Sequence, residues 1–214
     1  MDKDYTVVLA VKNAANYLGL ALDSVYSQTL PPKEVIVVDD NSLDETISIA
    51  SKYLAKVIKN EGIGQAAGLN TGIKNCTTEL ISFLDHDDIW RKDKQEIQVN
   101  LMFSDSKLDY VVSEVVNHDG TGVEKNMGLS RVLGACTFRT DFVLEMGKFN
   151  EELNHHAIVE WWSRPRAVEA NWKGVSLPQF YRLIHGNNTT TLSRDEAKQS
   201  LLQAVRMGIQ ARQR

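Results

Sequence analysis

The apolar run Leu80-Ile81-Ser82-Phe83-Leu84 passes without transition into Asp85-His86-Asp87-Asp88. Five such residues suit one strand covered on both faces, and charges that follow so abruptly belong at the rim of its sheet. The same figure occurs earlier, where Val35-Ile36-Val37-Val38 ends in Asp39-Asp40, and Tyr5 to Val11 is a third apolar, β-branched run. Helical spacing separates these runs. Leu18, Ala21, Leu22, Val25 and Tyr26 share one face of a helix expected to begin at Asn13 and to stop before Pro31-Pro32. Ser42 and Glu45 form a capping-box pattern for a second helix with Ile47, Ala50 and Leu54 as its core stripe. Strands alternating with helices predict a parallel sheet with crossover helices, and such sheets keep their ligands beyond the carboxyl ends of the strands. Alternation along an extended segment puts Asp85 and Asp87 on one side, where hard oxygen donors suit Mg²⁺ or Mn²⁺.

Lys56 to Lys59 is expected as a short third strand. The loop Asn60-Glu61-Gly62-Ile63-Gly64 then leads into a small-residue helix from Gln65 to Cys76. Glycine there either lets backbone approach a ligand or simply turns the chain. A helix from about Lys92 to Phe103 follows, and from Leu108 the rhythm changes. Strands are expected at Tyr110 to Val112, Val115-Val116, Gly134 to Phe138 and Phe180 to His185, with a short helix from Thr140 to Met146. A closing helix from Ser193 carries Leu201, Leu202, Val205 and Ile209 at helical spacing, an apolar stripe for the domain or for a second subunit, so a homodimer is open. The 214 residues suit one domain, with about 1–106 as one half, about 107–192 as the other and 193–214 as the closing helix.

Composition excludes several partners. A formal net charge of -4 gives no general attraction to nucleic acid or anionic membrane, so a phosphate-bearing ligand needs a local solution such as a metal ion. Cys76 and Cys136 lack the spacing of a zinc site or a disulfide framework and read as free thiols. Met1 to Tyr5 lacks the features of a signal peptide, and no apolar run reaches membrane-spanning length, so the expected location is cytoplasmic.

The order of motifs is more specific than any one of them. Val7 to Asn13, Ser27-Gln28-Thr29, Val37 to Thr46, Asn70 to Ile73 and Phe83 to Asp88 together resemble the family 2 glycosyltransferases of GT-A fold. Gly147 to Leu153 and Tyr181 to Asn188 look like the later landmarks of the same family. The resemblance implies a Rossmann-like, mostly parallel α/β sheet flanked by helices, with a smaller acceptor-side β region. It also implies a metal-dependent, inverting transfer of a sugar from a nucleoside diphosphate donor, UDP-linked in most relatives, to a hydroxyl of a glycan, lipid-linked or other acceptor. On this resemblance Asp40 accepts a hydrogen bond from the base, with helix capping as its other reading. Asp87 is the direct metal ligand, Asp85 lies near the ribose or reaches the metal through water, and His185 approaches from the C-terminal side unless it is structural. Ala10, Lys12, Asn13, Gly64, Asn70 and His86 fall in the donor-binding blocks. Counting back from Asn171-Trp172-Lys173, taken as the family's helix end, puts the base that deprotonates the acceptor on Glu160. Trp161 and Trp162 beside it are either a sugar wall or core.

The chain departs from the pattern at several points. Lys12 stands where many relatives have a tyrosine, Leu69 where a basic residue is frequent, Ala10 where proline is common, and Val159 takes the first acid of the catalytic pair. Two other functions therefore stay in view. One is a nucleotide-sugar-binding module without catalysis; the other is a sugar nucleotidylyltransferase, disfavoured because Val11-Lys12-Asn13-Ala14-Ala15 is no glycine-rich basic loop.

Overall fold

The computed structural model describes residues 3–118 and 124–184. Its apolar runs form one sheet of nine strands, eight of them in the order β3-β2-β1-β4-β8-β6-β9-β5. The parallel half consists of β1 (Tyr5–Val11), β2 (Glu34–Asp39), β3 (Lys56–Lys59) and β4 (Leu80–Phe83). Beyond β4 the sheet changes direction. There β8 (Cys136–Arg139) runs antiparallel to β4, and β6 (Tyr110–His118) antiparallel to β8. The long β9 (Trp172–Leu183) lies parallel to β6, while β7 (Glu124–Leu129) and β5 (Asp88–Trp90) form antiparallel pairs with β6 and β9. The expected parallel sheet is thus the N-terminal half, continuous with a largely antiparallel one.

The strand expected at Phe180 begins instead at Trp172. Gly174 and Pro178 disguise it, since neither is a strand former. The β6–β9 register shifts around Glu114, whose partner is Pro178, and this irregularity accommodates a residue without an N–H. Trp172 is consequently in a strand, and the helix end from which Glu160 was counted does not lie there.

Helices cover both faces: α1 (Leu18–Tyr26), α2 (Thr46–Ala50), α3 (Gly64–Asn75), α4 (Lys94–Ser104), α5 (Thr140–Met146), α6 (Ala157–Trp161) and α7 (Ser163–Ala167). The first starts at Leu18 and not at Asn13, because Asn13 has a φ of 48° and turns the chain. Its loop is stitched to the start of α2. Asn13 N–H donates to Ser42 Oγ at 2.9 Å, Ala14 N–H to Thr46 Oγ1 at 2.7 Å and Ala15 N–H to Asp44 Oδ2 at 3.0 Å. Ser42 is therefore not the cap of α2, whose cap position is Glu45; Asp44, one residue before it, takes the Thr46 N–H on Oδ1 at 3.0 Å. This helix is only five residues long and turns Thr46 and Ala50 inward, which leaves Ile47 and Leu54 of the expected stripe exposed.

Small residues let α3 lie very close to β1. A Cβ on Gly72 would stand 2.2 Å from Val8 Cγ1, and one on Gly68 2.8 Å from Ala10 Cβ. Leu69 is buried, so apolar burial against the domain is the reason this position carries no basic side chain. At the far side Tyr110, Phe138, Phe149, Trp161 and Trp162 form one aromatic cluster, with ring centroids 5.2 to 5.8 Å apart along its chain of contacts. Both tryptophans are buried in it; they are core and not a sugar-facing wall. No helix among the described residues is long and apolar enough to cross a membrane.

Candidate functional site

Three parallel strands deliver polar residues to the same rim. At the end of β2 the chain turns through Asn41, whose φ is 55°, and Asp39 accepts the Ser42 N–H, which steadies the turn. Asp40 N–H donates to Val11 O at 2.9 Å, locking the tips of β1 and β2 together. Asp40 is buried, yet its carboxylate accepts three hydrogen bonds: Asn60 Nδ2 at 3.0 Å on Oδ1, and Gly64 N–H at 3.0 Å and Lys12 Nζ at 3.2 Å on Oδ2. Asn60 is itself fixed, donating also to Gly64 O at 3.1 Å and accepting from Gly62 N–H at 3.1 Å. Gly64 adopts a φ of 86°, a conformation that glycine takes without strain, and this aims its N–H at the acid.

The next residue reaches the second acid. Gln65 Nε2 donates to Asp85 Oδ1 at 3.0 Å. The first two residues of α3 therefore hold Asp40 and Asp85 together, at the helix end where the backbone dipole favours negative charge. Past Leu84 the chain is no longer extended, contrary to the alternation expected of Asp85 and Asp87. Asp88 N–H donates to Asp85 O at 3.2 Å, closing a turn before β5 starts. The acids still interact across the turn: burial and then the charge of Asp87 push the Asp85 carboxyl above the usual carboxylate range. His86, Arg182 and the bond from Gln65 act in the opposite direction.

Asp88 is buried and accepts from Leu183 N–H at 3.2 Å. Burial, then Asp85 and Asp87, push its carboxyl well up, while Arg182 and that N–H oppose the rise. Asp88 and Arg182 face each other in the β5–β9 register. Arg182 is a cation of this cluster; it lies within the Tyr181 to Asn188 landmark without a role of its own there, and the antiparallel β5–β9 pairing is what places it among the acids.

The other expected site residues divide. Lys12 and Gly64 join Asp40, and His86 sits half-buried in the acidic turn. Ala10 packs against Gly68, and Asn13 Oδ1 accepts from Leu43 N–H at 2.8 Å, so Asn13 shapes the rim. Asn70 plays a structural part, since its amide donates to Phe149 O at 3.0 Å and Glu151 Oε1 at 2.9 Å and accepts from Phe149 N–H at 2.9 Å. His185 lies outside the described residues, as does the closing helix.

Glu160 is placed on α6, 5% exposed. Arg164 grips it from one turn on, with Nε to Oε1 at 3.1 Å and Nη2 to Oε2 at 2.6 Å. The remaining guanidinium nitrogen donates to Met146 O and Lys148 O, both at 2.8 Å. Both oxygens of the expected base are thus engaged in fastening α6 to the turn after α5.

Known proteins resemble this chain over different shares of its length. An uncharacterised glycosyltransferase of Rickettsia prowazekii is 41% identical over 106 residues, which are 49% of this chain and 32% of that protein. The UDP-Glc:alpha-D-GlcNAc-diphosphoundecaprenol beta-1,3-glucosyltransferase WfgD of Escherichia coli is 32% identical over 119 residues, 53% of this chain and 47% of the relative. The chain spans from about a third to about half of the length of these curated relatives. Among solved structures, S. aureus TarS 1-349 in complex with UDP-GlcNAc superimposes with a TM-score of 0.76 at 21% identity, over 96% of this chain and 65% of that one. That likeness is one of fold, and it identifies the sheet and its helices as the GT-A architecture. The sequence model described as Glycosyl transferase family 2 matches residues 6–157, a span that takes in β1 to the start of α6 with Asp40, Asp85 and Asp87, and the chain belongs to that family.

Proposed function

We propose that this chain binds a nucleoside diphosphate sugar, with uracil as its base, and transfers the sugar with inversion to an acceptor hydroxyl in glycan or polysaccharide synthesis. The observation that carries the reading is the pairing of Asp40 and Asp85 by Gly64 and Gln65. One helix start fixes the distance between a carboxylate suited to a base N–H and an acidic turn suited to a cation beside a diphosphate. The names of WfgD and of the TarS complex, which mention UDP-Glc and UDP-GlcNAc, support a uridine donor.

A divalent cation suits the acidic turn. Burial and then neighbouring carboxylates push Asp85 and Asp88 up, and a bound Mg²⁺ or Mn²⁺ would relieve the repulsion between them. Among the described residues no group of three or more metal-binding side chains converges. Asp87 with Asp85 would supply the protein oxygens and the donor phosphates the rest, the manner in which Mg²⁺ is commonly held. The cation would stabilise the departing diphosphate, and Gln65 would keep Asp85 oriented.

The Glu160–Arg164 pair favours a second reading, a donor-binding module without transfer, since Glu160 is buried and turned to Arg164 through both oxygens, whereas a base has to face the acceptor hydroxyl. Incubation with UDP-sugars and Mn²⁺ separates the two. Metal-dependent release of UDP supports transfer chemistry; a UDP-induced rise in melting temperature without release supports the module; neither response rejects both.

A further inference from the structure

The strand order ends at β3, which has a neighbour on one side alone. Asn60 N–H donates to Asp39 O, and in extended chain every second residue faces the same way, so Ile58 also turns its backbone to β2 while Val57 and Lys59 turn theirs outward. Unpaired N–H and C=O groups therefore line this edge. A cleft of about 450 Å³ opens between β3 and the start of α2, walled by Leu43, Ile47, Val57 and Ile58, with Asp39 and Lys59 as its polar part. Leu43 is 94% exposed, as is Leu54 where the chain passes from α2 to β3. The apolar stripe that α2 leaves uncovered thus stands beside an open strand.

Charge says what kind of chain fits there. Lys52, Lys56 and Lys59 are all exposed along this edge. Lys56 Nζ lies 3.8 Å from Glu34, whereas among the described residues Lys52 and Lys59 make no ion pair. Of the other acids nearby, Asp39 is buried on Ser42 N–H, and Asp44 accepts from Ala15 and Thr46. A second copy laid against β3 would bring the same three lysines with it, and like charges on adjoining strands repel. We propose that β3 is a docking edge for an extended acidic segment of another protein, which lengthens the sheet by one strand, seats alternate apolar side chains in the cleft and sets carboxylates against Lys52 and Lys59. In strand addition the main-chain bonds give affinity and the pockets for alternate side chains give specificity. The partner would lie one strand from Asp40, and its binding does not depend on which donor that site takes.

The test titrates two fluorescein-labelled peptides against the whole chain and reads anisotropy: Glu-Val-Thr-Val-Thr-Val-Glu, and the same strand with lysine in place of both glutamates. The acidic peptide should bind about tenfold more tightly than the basic one, or better. Val57→Pro removes an N–H that the sheet does not use, and proline is tolerated at such an edge position. The melting temperature should therefore hold, while the acidic peptide should lose about tenfold or more in affinity. If that variant does not fold, Lys52→Glu combined with Lys59→Glu takes its place and should reverse the preference between the peptides. No binding of either peptide, equal binding of both, undiminished binding by Val57→Pro or an unreversed preference in the double variant would each overturn the inference. A wild-type chain that sediments as a dimer, and as a monomer once Val57→Pro is made, would overturn it in favour of a second copy at the same edge.

Discussion

Arg164 holds Glu160 through both carboxylate oxygens, at 2.6 and 3.1 Å, from one helical turn away and with three quarters of its own side chain covered. A bidentate pair of this kind is strong because two parallel bonds share one geometry. Its third arm, on Met146 O and Lys148 O, ties α6 to the segment after α5.

The first prediction follows from that pair. Glu160→Gln should destabilise the fold by about 2–3 kcal/mol, because it leaves a largely buried guanidinium short of a counter-charge. UDP affinity, measured well below the melting temperature, should stay within twofold. A variant as stable as wild type with transfer reduced a hundredfold or more would instead return Glu160 to the role of general base.

Asp87 is expected to act in two opposite senses. Without metal, Asp87→Ala removes a charge that disfavours the ionised forms of Asp85 and Asp88, so the apo melting temperature should rise slightly. With UDP present, the part of the thermal shift that depends on Mn²⁺ should vanish, a loss of several degrees at saturating ligand. A full Mn²⁺ response in this variant would take the cation away from the turn.

Gly72→Ala inserts a methyl 2.2 Å from Val8 Cγ1, so α3 must move off β1. Overpacking of this order costs about 1–3 kcal/mol. Because the start of α3 holds Asp40 and Asp85, UDP binding should weaken as well. Denaturant titration and nucleotide titration of the same variant check both halves; loss of stability with intact binding would show that the helix start does not follow the helix.

Lys94 makes stability depend on pH. It is fully buried, with Nζ 4.4 Å over the Trp90 ring, 3.3 Å from Gln98 Oε1 and 3.5 Å from Cys136 O. Burial pushes its ammonium down to about 7, against roughly 10.4 in an unfolded chain. Between these values the unfolded state binds the extra proton, so this group makes folding stability rise with pH, by at most about 1.4 kcal/mol per unit. Cys136, whose thiol burial pushes up to about 12, opposes the rise above roughly 8.5, where the unfolded thiol ionises. Stability should therefore climb from pH 7 to about 8.5 and then level off. Lys94→Met should abolish the climb and be the more stable protein at pH 6; a chain whose denaturation midpoint is flat from pH 6 to 8.5 contradicts the assignment.

What the sequence alone determined was the part of the protein governed by local pattern. Runs such as Val35 to Val38 and Leu80 to Phe83 are buried at every position, as near-continuous apolar strands covered on both faces should be, and the carboxylates behind them had to stand at the rim. The small-residue stretch from Gln65 to Cys76 likewise declared a helix, and each end of α3 falls within one residue of it. The tertiary structure alone decided who meets whom there. Arg182 joins the acids because β9 pairs with β5 across more than ninety positions of chain, and Ser42 is drawn from α2 to the loop after β1 by an N–H about thirty residues away. Glu160 and Arg164 are neighbours by helical spacing, yet only the tertiary structure buries Glu160 and brings the Met146 and Lys148 carbonyls to the remaining nitrogen of Arg164. Periodicity states which face of an element is apolar; the partner of each polar group is set by contacts between distant segments, which no local pattern encodes.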